Sequence, residues 1–194
     1  MLIIEIIAVI FAITVHEYAH AFVAMKLGDD TAARLGRMSL NPIRHVDLFG
    51  TIILPILLIL LKAPVFGWAK PVLIDYRNFK NPPRDYMLVG LAGPITNILV
   101  AIFFAAIYRI SPNQIYMVFI MINIVLAVVN FIPIPPLDGS RFIAWVLPRR
   151  MWFSFIKLDR YGIFFIIVLI YIKFFNFVVW PVIIWSMRFL GVSI

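Results

Sequence analysis

Residues 2–25, LIIEIIAVIFAITVHEYAHAFVAM, decide the fold. The run is apolar and has the length that a membrane-spanning helix requires. Yet it carries His16, Glu17 and His20, ionisable groups that are costly in hydrocarbon. At 1.5 Å rise per residue His16 sits about 21 Å along the helix, so the groups lie deep and something must compensate for them.

Residues four apart share a helix face, so His16 and His20 can offer ring nitrogens to one metal ion while Glu17 stands at the edge of that face. This HExxH spacing gives a zinc site two imidazole ligands and a neighbouring carboxylate able to act as general base. Metal binding also supplies a reason for burying the triplet.

Working outward, composition sets the class. The 194 residues are 64% hydrophobic and 13% charged, with a mean hydropathy of +1.04, which indicates an all-α polytopic membrane protein. The opening stretch lacks a basic leader and a small-residue cleavage site, so it reads as a permanent span. There is no cysteine, which excludes disulfides and thiolate ligands and leaves nitrogen and oxygen to hold any metal. The net charge of +8 comes from Lys and Arg in short loops, where it sets membrane orientation and does not call for nucleic acid.

Residues 26–47 form a polar loop with Lys26, Arg34, Arg37 and Arg44, ending near His45 and Asp47. A lone loop histidine such as His45 is more often a structural hydrogen-bonding group than a ligand. Residues 48–61 are apolar but short for a span, and basic loops flank them on both sides. That favours a segment re-entering from one side, with a tilted span extended to Trp68 as the alternative. Residues 65–74, VFGWAKPVLI, have strand composition broken by Gly67 and Pro71, so a membrane strand edge and an ordinary interfacial loop are both open.

Clear spans follow at 88–110, carrying Asn97, and at 115–132, carrying Asn123 and Asn130. The small residues Gly90, Ala92 and Gly93 allow close helix approach, and Asn97 then faces protein. Pro133, Pro135 and Pro136 end the second of these helices and leave Asp138 on a bent segment. Residues 161–190 read as a C-terminal hairpin of two short spans, or of one span and an interfacial helix. About five to six membrane segments are expected in all, including the re-entrant or strand element before the third apolar segment. The chain reads as one domain, 1–194, with a catalytic core of about 1–147 and a membrane hairpin at about 161–192.

If basic loops face the cytoplasm, the first span runs outside to inside, the third apolar segment returns, and the fourth runs inward again. His16, His20 and Asp138 then share one end of the protein. A catalytic zinc site takes three protein ligands and keeps a fourth position for water. Asp138 is the best third candidate, against an N-cap role for the helix that follows.

HEYAH at 16–20 together with NFIPIPPLDG at 130–139 resembles the site-2 protease family of intramembrane zinc metalloproteases (peptidase M50), specifically its compact members. GPITN at 93–97, NPIRH at 41–45 and DLFGT at 47–51 are also similar to patterns of that family. The resemblance covers roughly residues 9–141. It implies one Zn2+ per chain held by His16, His20 and Asp138, with Glu17 as catalytic base and Asn130 where the family has a substrate-contacting asparagine. Many members carry a further N-terminal span, a PDZ domain or a CBS domain, for which this sequence offers no counterpart. The implied setting is a prokaryotic inner membrane with the site toward the cytoplasm. The implied partners are a transmembrane protein or peptide substrate and the lipid bilayer.

Asn130 or Asn97 could donate to a developing oxyanion, and helix-to-helix bonding is the alternative for both. A zinc-binding or zinc-transporting membrane protein without proteolysis is the competing function. A carrier has no need of a carboxylate between the histidines, so Glu17 separates the two.

Overall fold

The computed structural model describes residues 1–53, 57, 60 and 70–192, and the regular structure among them is helical. Helix α1 (Leu2–Leu27) ends at Gly28, whose φ of 111° lets its N–H cap Ala24 and Met25. A single turn, α2 (Thr31–Arg34), follows. Helix α3 (Pro82–Ile110) starts with two prolines, which suit the first turn because no intrahelical acceptor faces their nitrogens. Helix α4 (Gln114–Asn130) is capped by the Asn113 side chain, which accepts from the Ile115 N–H. Four shorter α-helices follow among the described residues: α5 (Ser140–Val146), α6 (Arg149–Ile156), α7 (Gly162–Tyr171) and α8 (Trp180–Phe189).

Among the described residues two helices, α1 and α3, are long and apolar enough to cross a membrane. Arg149–Tyr171 and Phe175–Phe189 supply a third only if the pair, bent by 70°, counts as one span, and α4 has 17 residues. The described residues therefore carry fewer spans than the sequence suggests. Much of the expected re-entrant element, and residues 65–69 of the expected strand element, lie outside them; within them Leu48–Ile53 forms a π-helical turn, and residues 70–75 have no regular secondary structure.

Small residues set the packing. Ala8, Ala12, Ala19, Ala21 and Ala24 are buried along α1, so its neighbours approach its backbone closely. Ala101 and Ala105 on α3 meet Ile120 and Ile124 on α4, and Ile183 and Met187 on α8 join the same core. The opposite faces expose Ile3, Ile6, Leu99, Ile102 and Phe103, an apolar surface suited to hydrocarbon.

Arg109, at the end of α3, donates to the Leu190 carbonyl, which places the end of α8 beside the end of α3. Gly162, at the start of α7, packs against the ring of Pro136. Between α7 and α8 the chain turns at Lys173, whose φ is 55°.

Candidate metal centre

Three elements converge at one end of the bundle: the C-terminal half of α1, the N-terminal third of α3 and the bend after α4. The bend follows from its prolines and Gly139. The Gly139 N–H donates to the Asn130 carbonyl at 2.6 Å, and a Cβ at this position would collide with the backbone of Phe131 and Ile132. The chain thus folds back on the end of α4 and presents Asp138 to α1. Gly90 makes room on the other side, since a Cβ there would strike Arg141.

His16 Nε2 and His20 Nε2 lie 3.0 Å apart, and Asp138 Oδ2 lies 3.0 Å from the first and 3.2 Å from the second. Both imidazoles are buried. The other nitrogen of each ring faces an acceptor: His16 Nδ1 is 2.6 Å from Asn97 Oδ1, and His20 Nδ1 is 2.7 Å from the Val89 carbonyl. Each Nδ1 must therefore carry a proton, so in the neutral ring, the form that binds a metal, both Nε2 atoms present lone pairs.

Two imidazole lone pairs and a carboxylate oxygen crowd together in a site where their repulsion is little screened. A cation at their centre reconciles them. The spacing fits one: a tetrahedral zinc with bonds of about 2.0–2.1 Å has ligand atoms about 3.3 Å apart. Gly93 keeps the space open, because a Cβ would come within 2.6 Å of His16 Nε2 and His20 Nε2. Among the described residues this trio alone forms a group able to hold a metal.

A protein of Bacillus subtilis (strain 168) named "Putative zinc metalloprotease YwhC" is 38% identical over 190 residues, covering 91% of this chain and 84% of its own. The chain belongs to this zinc metalloprotease family. "Putative zinc metalloprotease Rip2" of Mycolicibacterium smegmatis is 25% identical over 191 residues, 95% of this chain and 73% of its own. "Putative zinc metalloprotease MJ0611" of Methanocaldococcus jannaschii is 35% identical over 75 residues, 36% of this chain and 39% of its own. No family model and no solved structure matches the chain.

In this member of the family the remaining residues singled out from sequence fall in different places. Glu17 is half-buried, and its Oε2 accepts the backbone N–H of Val72 at 2.9 Å. Asn97 lies behind His16 and not in front of the trio. Its Nδ2 donates to the Ala12 carbonyl and to Asn123 Oδ1, so both of its amide hydrogens are engaged and the expected oxyanion contact has no donor left. Asn130 is half-buried at the end of α4, with Nδ2 donating to the Leu126 carbonyl. His45 stands apart from the trio, buried, with Nε2 donating to the Ser39 carbonyl. Val89 contributes through its carbonyl, which no side-chain pattern announces. Asn123 was visible as a polar residue inside an apolar span, a signal worth reading as a site contact.

Proposed function

We propose that this chain is an intramembrane zinc endopeptidase of the site-2 protease type, hydrolysing peptide bonds in or near transmembrane segments of other proteins. The observation that carries it is the meeting of the HExxH imidazoles with Asp138, more than a hundred positions away, inside a bundle with an apolar exterior. His16, His20 and Asp138 would hold one zinc ion. Bound there, zinc would polarise a peptide carbonyl and lower the pKa of a coordinated water to about 7.

Glu17 is the general base in this reading: it takes a proton from the attacking water and returns it to the leaving amine. The Val72 N–H holds its carboxylate in one orientation. Asn97 serves as an orienting group for His16, and Asn130 is kept as the residue that meets the substrate. A helical substrate hides its carbonyls and must unwind locally, and the strand composition of residues 65–74 suits that stretch to pair with it.

The full membrane arrangement proposed is five to six segments, with residues 48–68 re-entering and the site toward the cytoplasm. The basic residues Arg149, Arg150, Lys157 and Arg160 support that orientation.

The test is Glu17→Gln in purified protein, with metal content and cleavage of a model transmembrane substrate measured together. Zinc should stay bound while cleavage falls at least about a hundredfold. Cleavage near the parent rate would reject the peptidase reading, and a zinc-holding membrane protein would take its place.

A further inference from the structure

We propose that Asn123, on α4, is a positioning residue for the metal centre: it acts through Asn97 to fix the ring nitrogen with which His16 faces the ion. The inference rests on the metal reading of the site given above.

Asn123 is fully buried in the middle of an apolar helix, where an amide needs partners for all its polar atoms. It lies one step behind Asn97, and the two amides form a directed chain across three helices. Asn123 Nδ2 donates to the Phe119 carbonyl at 2.8 Å, so Asn123 Oδ1 is the atom that faces Asn97. Asn97 Nδ2 donates to that oxygen at 2.8 Å and to the Ala12 carbonyl at 3.2 Å. Asn97 Oδ1 is therefore the atom left for His16 Nδ1 at 2.6 Å.

The two carbonyls decide the direction of the whole chain, because a carbonyl accepts and cannot donate. If either amide flipped, an NH2 group would face an N–H and a carbonyl would face an oxygen, with both amides fully buried. His16 is thereby locked with its proton on Nδ1 and its Nε2 lone pair toward Asp138 and His20. Ala12 lies one turn before His16 on α1, so the lock also ties the ring to its own helix.

Plain helix-to-helix adhesion would use the same hydrogen bonds without affecting the metal. The two roles part at metal affinity. Partners that orient a ligand histidine change metal affinity by about ten- to a hundredfold when removed.

The full-length protein in detergent, stripped of metal, would be titrated with zinc against a competing chelator and with Co2+ by visible absorption. Three variants are compared with the parent. Asn123→Ser bonds back to Phe119 but falls short of Asn97; Asn123→Asp, neutral in this buried apolar setting, donates its O–H to the Phe119 carbonyl and keeps an oxygen facing Asn97; Ile120→Val loosens the same helix elsewhere. The expected result is zinc affinity reduced about tenfold or more in Asn123→Ser with an altered Co2+ spectrum, substantial recovery in Asn123→Asp, and parental values in Ile120→Val. Parental affinity and spectrum in Asn123→Ser would overturn this inference while leaving the metal site standing. Failure of the parent itself to bind zinc would overturn both.

Discussion

The backbone N–H of Val72 donates to Oε2 of Glu17 across 2.9 Å, so the carboxylate beside the metal centre is tied to a segment 55 positions later in the chain. Val72 is itself buried with Ala21 and Ala32, which anchors that segment against α1 and α2. The contact joins backbone to side chain, and the sequence of residue 72 matters to it only in having an N–H.

Val72→Pro removes that hydrogen. Hydrogen bonds to charged groups contribute about 1.5–3 kcal/mol, so a Glu17 freed from its anchor should cost about ten- to a hundredfold in turnover. Val72→Ala, which retains the N–H, should stay near the parent. Bound zinc should be unchanged in both. Equal turnover in the proline variant and the parent would show that the contact does not orient the base.

Gly93→Ala should reduce zinc binding more sharply than its small size suggests. The added methyl would stand 2.6 Å from His16 Cε1 and from both Nε2 atoms. Neither ring can step back, since Asn97 and the Val89 carbonyl hold their far sides. Alanine is a better helix former than glycine, so α3 itself should persist. We expect a loss of at least about tenfold in zinc affinity with helical content unchanged by circular dichroism. Stoichiometric binding at parental affinity would mean that the rings have room that their hydrogen bonds deny them.

The meeting of His16, His20 and Asp138 was legible because it is carried by side chains at fixed spacing: His16 and His20 four apart on a helix, and Asp138 set off by three prolines. The long helices α1 and α3 were legible because their apolar runs exceed what any core helix needs. The orientation of Asn97 was not. A buried asparagine in a span has the same signature whether it faces substrate or the back of a ligand, and only the positions of Ala12, Asn123 and His16 decide. Contacts made by backbone groups, such as those of Val72 and Val89, leave no mark on residue type. The number of spans was not legible either: aromatic and β-branched runs such as 162–189 read as membrane segments whether the two halves lie antiparallel or meet at a bend of 70°.

Zinc should raise the thermal stability of the metal-free protein, because the trio without a cation holds three electron-rich atoms within 3.2 Å of one another. A ligand that binds only the folded state at a hundred times its Kd adds about 2.7 kcal/mol. The parent in detergent should therefore melt several degrees higher with zinc than with chelator. Asp138→Ala should melt at nearly one temperature in both, as it lacks the third ligand. A zinc-dependent rise of parental size in that variant would place the ion elsewhere.

Asp29 should make the cytosol-proposed end of the bundle sensitive to acid. It is fully buried just past α1 and accepts four hydrogen bonds: from the Thr31 N–H and hydroxyl, the Asp75 N–H and the Asn78 amide. Burial alone would push its carboxyl up, but the bonds from Thr31 and Asn78, with those from the backbone, outweigh it and hold the group below its ordinary value. A carboxyl lowered on folding contributes stability above its unfolded value of about 3.9, and that contribution is lost as pH falls through the folded value. Asp75 follows the same sign, held at about 2 by its hydrogen bonds from Arg77, so it contributes to any fall seen in the parent. Asp29→Asn separates the two, since it keeps Asp75 and removes only the buried charge. At pH 7 the variant should be less stable by about 1–3 kcal/mol, because an amide hydrogen meets donors where a carboxylate accepted them. As pH falls from 6 to 3, melting temperatures of parent and variant should converge. Curves that run parallel over that range would show that the Asp29 carboxylate is not what ties α1 to residues 75–78.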